Sequence, residues 1–244
     1  RNFIDGLPLD MTAAMLPWKT KFSPMIQLHI HLHAKMQKKH ADTRDSAEKA
    51  NKIKISKKTV QDLTQSLRLL VEKLRLPPTS TTWGDYYSDT NYSEAAFTAK
   101  HDIVAAMLEK LKPSTVLDMG ANTGEFSSLA RKHAGMVLAA DMDPLAVERH
   151  HELLVKNNIE GVLPLVIDLS NPSPALGWHN VERAAFIDSC KVDTVMALAL
   201  IHHLCIGNNV SLDMAARFFA ELGDSLILEF VPKEDSQVQR MLST

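Results

Sequence analysis

Residues 114–131, Ser-Thr-Val-Leu-Asp-Met-Gly-Ala-Asn-Thr-Gly-Glu-Phe-Ser-Ser-Leu-Ala-Arg, decide the fold. Thr115–Met119 is a short apolar run that carries Asp118 near its carboxyl end. Gly120 and Gly124 punctuate the loop that follows, and Glu125 opens an amphipathic stretch. This is a strand, a turn and a helix, arranged to bring backbone close to a ligand. Glycine removes Cβ where the chain must turn, and Asn122 between the two glycines is the residue type that best tolerates a left-handed backbone.

Working outward, strand and helix patterns alternate from residue 114 on. Strands are predicted at Thr115–Met119, Met136–Ala140, Leu163–Ile167, Thr194–Leu198 and Ser225–Val231. Helices are predicted near Gly124–Ala134, Pro144–Asn157 and Leu212–Leu222. Several of these strands are apolar on both faces, as buried parallel strands must be. The fold class that follows is α/β: a Rossmann-like, doubly wound, mostly parallel sheet with helices on both sides.

Three acids mark the carboxyl edge of that sheet, where open α/β sheets bind ligands. Asp118 belongs to the first strand. Asp141 follows the second, 21 residues after Gly120, the distance at which an acid can accept the hydroxyls of a ribose. Asp168 follows the third and can accept an exocyclic amine of adenine. The loop reads Asp-x-Gly-x-Asn-x-Gly, not the Gly-x-Gly-x-x-Gly of a dinucleotide site, and Glu125 at the helix start would repel a diphosphate. The spacing therefore disfavours a nicotinamide dinucleotide and suits a ligand without phosphates.

Residues 1–78 read as a small helical region, with a mobile linker near 41–56; residues 79–244 form the binding domain. A short helix capped by Asp10 is expected before Pro17-Trp18, and a second helix over 24–40. A third, capped by Ser56, carries Val60, Leu63, Leu67, Leu70, Val71 and Leu74 on one stripe. His29, His31 and His33 would share one face only on a strand. The helical spacing around them disfavours a metal site, and none is assigned. Trp83, Tyr86, Tyr87 and Tyr92 gather just before a helix capped by Ser93, as a lid or as glue between the two regions.

The net charge of −2 hides an asymmetry: residues 1–80 carry +8 and residues 81–244 carry −10. A basic region can meet an anionic partner, or the two charges can face each other or solvent. No run of about 18 apolar residues is present, so no membrane span is expected. Cys190 and Cys205 are too few for a disulfide framework, and a cytoplasmic protein is the simpler expectation. The chain opens at Arg1 without an initiator Met, so residues before it are expected.

The motifs Val116–Gly124, Leu138–Asp141, Val166–Asp168 and Asp193–Leu204 resemble those of class I S-adenosylmethionine-dependent methyltransferases, over about residues 83–235. Trp83-Gly-Asp-Tyr-Tyr, Asn91-Tyr-Ser, His202-His203 and Glu229-Phe-Val-Pro-Lys narrow the likeness to a bacterial group similar to nodulation-related methyltransferases. The resemblance implies S-adenosylmethionine as cofactor. It implies that Asp118, Gly120, Ala121, Asn122 and Gly124 line its methionine part, that Asp141 with Met142 holds the ribose, and that Asp168 and Leu169 flank the adenine. Ala197, Tyr87 and Tyr92 are counted with the cofactor site. The family usually adds a strand hairpin after the fifth strand. Only 13 residues follow Val231, so the sheet is expected to stop at five strands, as if truncated.

The expected activity is methyl transfer to an unidentified acceptor, with proximity and alignment as the main contribution. A general base is needed only where the acceptor must lose a proton, and His202 and His203 after the fourth strand are the candidates. Ala197-Leu198-Ala199-Leu200 follows that strand in place of the Asn/Asp-Pro-Pro-aromatic box of enzymes that methylate base or glutamine amines, and Cys205 has no Pro-Cys setting. Nucleic acid is compatible with these motifs but not indicated by them. The alternative is a non-catalytic cofactor-binding module whose basic region docks an anionic partner such as RNA.

Overall fold

The computed structural model describes residues 4–41, 56–75 and 93–243, with residues 39–41 described by their backbone alone. The expected linker at 41–56 falls, apart from its ends, outside the described residues, and so do Trp83, Tyr86, Tyr87 and Tyr92. The chain divides into two compact units, Arg1–Pro77 and Pro78–Thr244.

The first unit is helical. Helix α1 spans Leu9–Met15. Pro8 holds the N-cap position and Asp10 sits in the first turn, so Asp10 does not cap the helix as the sequence suggested. Its acid still meets the positive end of the helix dipole there. A 3₁₀ turn, Trp18–Phe22, leads to Pro24, which opens a continuous helix, α2. Its segments are Pro24–Ile26, a π-helical Gln27–Leu32 and His33–Ala41. Helix α3, Lys57–Lys73, is capped by Ser56 Oγ, which accepts from the Thr59 N–H. Buried His29 makes a 2.6 Å hydrogen bond to Ser66 of α3, and His31 makes one of 2.9 Å to Thr20. The helix turns neighbouring histidines to different partners, as its period requires.

The second unit starts with α4, Glu94–Leu111, capped by Ser93 and ended by a left-handed Lys112 before Pro113. Five strands follow: β1 Thr115–Met119, β2 Met136–Asp141, β3 Val162–Val166, β4 Val192–Ala197 and β5 Gly223–Leu228. The sheet order is β3-β2-β1-β4-β5 and every pairing is parallel. The doubly wound sheet expected from the sequence is the sheet observed, and no sixth strand occurs among the described residues. Strand order reverses between β1 and β4, the switch point at which such sheets open a crevice.

Two cores cover the two faces. Leu117, Met119, Val195 and Ala197 point to one and pack with Phe219 and Leu222 of α8, Leu212–Leu222. Val116, Val137, Met196 and Ile227 point to the other and pack with Val104 and Leu108 of α4 and with Phe126 and Leu129 of α5, Glu125–Arg131. The alternation along β1 and β4 places apolar side chains on both sides, which buries all but Thr115 and Asp193 of the two strands.

Strand ends differ from the expected ones where the sheet geometry decides them. β3 starts and stops one residue early; it is an edge strand, and Pro164, which lacks an N–H to donate, is tolerated there. β4 ends at Ala197 because Ala199 turns left-handed, with φ 50°. β5 then loses its ladder partner beyond Leu228, opposite Ala197, and does not reach Val231. α6, Pro144–Lys156, is capped by Asp143. A four-residue helix, α7, Phe186–Ser189, precedes β4. After β5 comes α9, Ser236–Leu242, capped by Asp235 and anchored by buried Val238. Among the described residues no helix is long and apolar enough to cross a membrane.

Candidate functional site

The loop after β1 is shaped by backbone. Gly120 is left-handed at φ 76°, and the Gly120 and Ala121 N–H groups both donate to the Ala140 carbonyl at 2.8 and 3.1 Å. Asn122, at φ 49°, donates its N–H to Asp141 Oδ2 at 2.8 Å, and its own side-chain oxygen accepts from the Thr123 N–H at 2.7 Å. Gly124 is again left-handed, at φ 85°, and a Cβ built there would run into the His150 ring. His150 is 1% exposed, and its Nε2 has no hydrogen-bond partner among the described residues. Burial, and secondarily His151, push its pKa down to about 4, so the ring packs as a neutral wedge under the loop.

The three acids of the sheet edge meet in one cavity of about 320 Å³. Asp118 is buried, and its carboxylate accepts from Ser127 Oγ. Burial raises its pKa to about 6, with Asp141 adding to the rise and Ser127 and Lys100 opposing it. Asp141 accepts from the Asn122 N–H with one oxygen and from the Asp143 N–H, at 2.8 Å, with the other. Burial raises its pKa as well, against backbone bonds from Asp143, Asn122 and Met142. Asp168 lies two residues past the end of β3, not on the strand. Its Oδ1 accepts from the Ser170 N–H at 3.0 Å and from Ser170 Oγ at 2.6 Å.

Of the residues singled out in the sequence, Asp118, Gly120, Ala121, Asn122, Asp141, Met142, Asp168, Leu169 and His203 line this cavity. Gly124, Ala197 and His202 do not. Gly124 faces His150, and Ala197 is fully buried in the sheet core. His202 lies behind His203, ring centroids 4.1 Å apart. Tyr87 and Tyr92 fall outside the described residues. Burial and then the neighbouring His202 bring the His203 pKa to about 4. His202 is also lowered by burial, against the pull of Asp235 and Glu229, and its Nδ1 has no hydrogen-bond partner among the described residues.

The structure adds residues that sequence reasoning missed. Leu198, Ala199 and Leu200 form a wall where the left-handed Ala199 turns the chain into the cavity. Leu204, Asn208 and Met241 of α9 continue that wall. Phe97 and Lys100 of α4 and Phe126 of α5 close the remaining side. Lys100 reaches Glu229 Oε2 at 2.8 Å and lies 4.7 Å from the centre of the Phe126 ring. A lysine on an amphipathic helix ordinarily reads as solvated, and no sequence signal marked this one.

The donor set excludes a phosphate site. The Asn122 N–H is spent on Asp141, an acid occupies the first turn of α5, and His150 fills the space beneath its N-cap. What remains is an apolar-walled cleft with three carboxylates, one ammonium and one neutral imidazole. That set fits a ligand with hydroxyls, an amine and an amino-acid end, which S-adenosylmethionine has.

No family model matches the chain. The chain is similar over its full length to nodulation protein NoeA of Rhizobium meliloti (strain 1021). The two are 31% identical over 246 residues, which cover 100% of this chain and 52% of NoeA. The chain therefore spans about half the length of that relative. Among solved structures, monomeric WbdD is 21% identical over 72% of this chain and 41% of its own, with a TM-score of 0.49. Magnesium protoporphyrin IX methyltransferase (ChlM) from Synechocystis PCC 6803, with bound SAM, is 23% identical over 64% of this chain and 74% of its own, with a TM-score of 0.42.

Proposed function

We infer that the chain binds S-adenosylmethionine in this cavity and passes its sulfonium methyl group to an acceptor. The observation that carries the reading is the convergence of Asp118, Asp141 and Asp168 on one cavity beside a glycine–asparagine loop that offers no phosphate site. The bound cofactor would supply an electrophilic methyl group. Gly120, Ala121 and Asn122 would back its methionine portion, Asp141 and Met142 would meet the ribose, and Asp168 and Leu169 would flank the adenine.

The protein's own part is alignment and exclusion of water. Transfer from a sulfonium is an in-line displacement, so most of the rate comes from holding the acceptor opposite the leaving sulfur. Leu198, Leu200, Leu204 and Met241 make that side of the cavity apolar. Within it, His203 is neutral near pH 7 and can accept a hydrogen bond from an acceptor hydroxyl. His202 would act only through His203. The likeness to NoeA makes nodulation the process in which to look first for the acceptor.

Calorimetry with S-adenosylhomocysteine tests the reading. Wild-type protein should bind it, and Asp141→Ala should lose roughly tenfold or more in affinity, because a buried acceptor for the ribose is removed. No heat with the wild type, or equal affinity in the variant, sinks it.

A further inference from the structure

The first unit is poor in core: among its described residues only His29 and Ala34 are buried. Helix α3 shows where its apolar surface goes instead. Val60, Leu63, Leu67, Val71 and Leu74, the last at the C-cap, recur every three or four positions. They therefore form one stripe along the helix, about 20 Å long. All five are between 39% and 64% exposed. The helix meets α2 along a neighbouring row, where Ser66 and Leu70 are half-buried and Ser66 makes its 2.6 Å bond to His29. The stripe lies beside that contact and stays open.

Charge narrows what can cover it. α3 and its ends carry Lys57, Lys58, Arg68, Lys73 and Arg75 against Asp62 and Glu72, and Glu72 is taken up by Arg68 at 2.9 Å. Residues 1–80 as a whole hold 15 Lys and Arg against 7 Asp and Glu. Long basic side chains can lay their stems along an apolar stripe and keep their heads in a polar layer. The complementary partner is both apolar and anionic. Nucleic acid is anionic, but its bases stack on aromatic faces and the stripe offers only aliphatic ones. A second copy is apolar, but it would set like charges on like. An anionic lipid surface has both properties.

We propose that the first unit docks on an anionic lipid surface, with α3 lying in the headgroup layer and its stripe turned towards the acyl chains. The helix lies on such a surface and does not span it. The 3₁₀ turn of the same unit presents Trp18 and Phe22, 65% and 76% exposed and edge to face at 5.5 Å, with Lys19 and Lys21 between them in sequence. Aromatic and basic side chains are those that settle at a headgroup layer. None of these residues lines the cavity, so the proposal is independent of the cofactor reading.

Sedimentation of the full chain with vesicles tests it. One set is phosphatidylcholine alone, and the other holds about one third phosphatidylglycerol, which makes its surface negative. Wild type is expected to pellet with the anionic set and roughly fivefold less with the neutral one, and added salt should weaken its retention. Leu63→Gln/Leu67→Gln keeps every charge and should lower retention about tenfold or more. Lys57→Gln/Lys58→Gln changes only exposed side chains at the start of α3, which guards against misfolding of the first variant. It should lower retention roughly fivefold. Both variants should keep the far-ultraviolet circular dichroism of wild type. Wild type left in the supernatant overturns the proposal, and so does Leu63→Gln/Leu67→Gln pelleting as wild type does. Capture by a polyuridine oligomer without vesicle retention overturns it in favour of nucleic acid. A dimer formed without vesicles, and dissolved by Leu63→Gln/Leu67→Gln, overturns it in favour of a second copy.

Discussion

At the scale of single residues, burial displaces the pKa values of several groups in and under the site. Asp118 is the clearest case. Its pKa is raised from 3.8 to about 6, chiefly by burial, so the folded state binds this proton more tightly than the unfolded chain does. The stability it contributes is present in full below pH 3.8 and is lost as pH rises towards 6. A rise of that size corresponds to about 3 kcal/mol. His150 works in the opposite direction: its lowered pKa costs stability as pH falls below 6.5 towards 4. Asp141 adds to the first slope and His202 and His203 to the second, so opposing slopes overlap between pH 4 and 6. Asp118→Asn removes one of the opposing slopes, so stability of the variant should rise more steeply over that window. Urea unfolding at pH 4, 5 and 6 checks this, and parallel curves for the two proteins would contradict it.

The same scale shows where sequence reading reached its limit. Asp118, Asp141 and Asp168 could be picked out because an acid that closes an apolar run stands out from its surroundings. The pair His202-His203 could not be divided. Which of two consecutive residues faces a cavity depends on the angle at which the chain leaves the strand, and here that angle is set by a left-handed Ala199 that alanine seldom adopts. The family resemblance implies ligand contact for Gly124. Its actual neighbour, His150, lies 26 positions away and comes to it only through the packing of α6.

At the scale of elements, each cavity wall depends on a cap or a turn. α9 is a support of only seven residues. Asp235 accepts from the Gln237 and Val238 N–H groups, Val238 is buried, and Met241 lines the cavity. Asp235→Ala should cost about 1 kcal/mol in unfolding free energy. It should also speed amide exchange across Ser236–Leu242 ahead of the sheet. Unchanged exchange in that helix would show that Val238 alone fixes it. The strands and the longer helices were legible from hydrophobic periodicity, but element ends were not, and neither were the short helices α7 and α9. β3 and β5 lie at the two edges of the sheet, where a single neighbouring strand decides how far pairing runs.

At the scale of the whole molecule, every described residue that lines the cavity falls between Phe97 and Met241, inside the second unit. That unit has its own two-sided core. Residues 78–244 produced alone should therefore bind S-adenosylhomocysteine within about threefold of the full chain, since a domain with its own core carries its own site. A loss beyond about tenfold would give the first unit a direct part in binding. The division of charge, +8 over residues 1–80 against −10 over the rest, was visible in composition, but composition does not name the partner of the basic part.

The central claim is that the cleft at the β1–β4 switch point is a methyl-donor site. A crystal structure of the protein with S-adenosylhomocysteine tests it most directly. The account predicts the ribose hydroxyls on Asp141, the adenine beside Asp168 and Leu169, and the thioether sulfur turned towards Leu198–Leu200 and His203. Density for the ligand elsewhere, or in this cleft with its ribose away from Asp141, would contradict it.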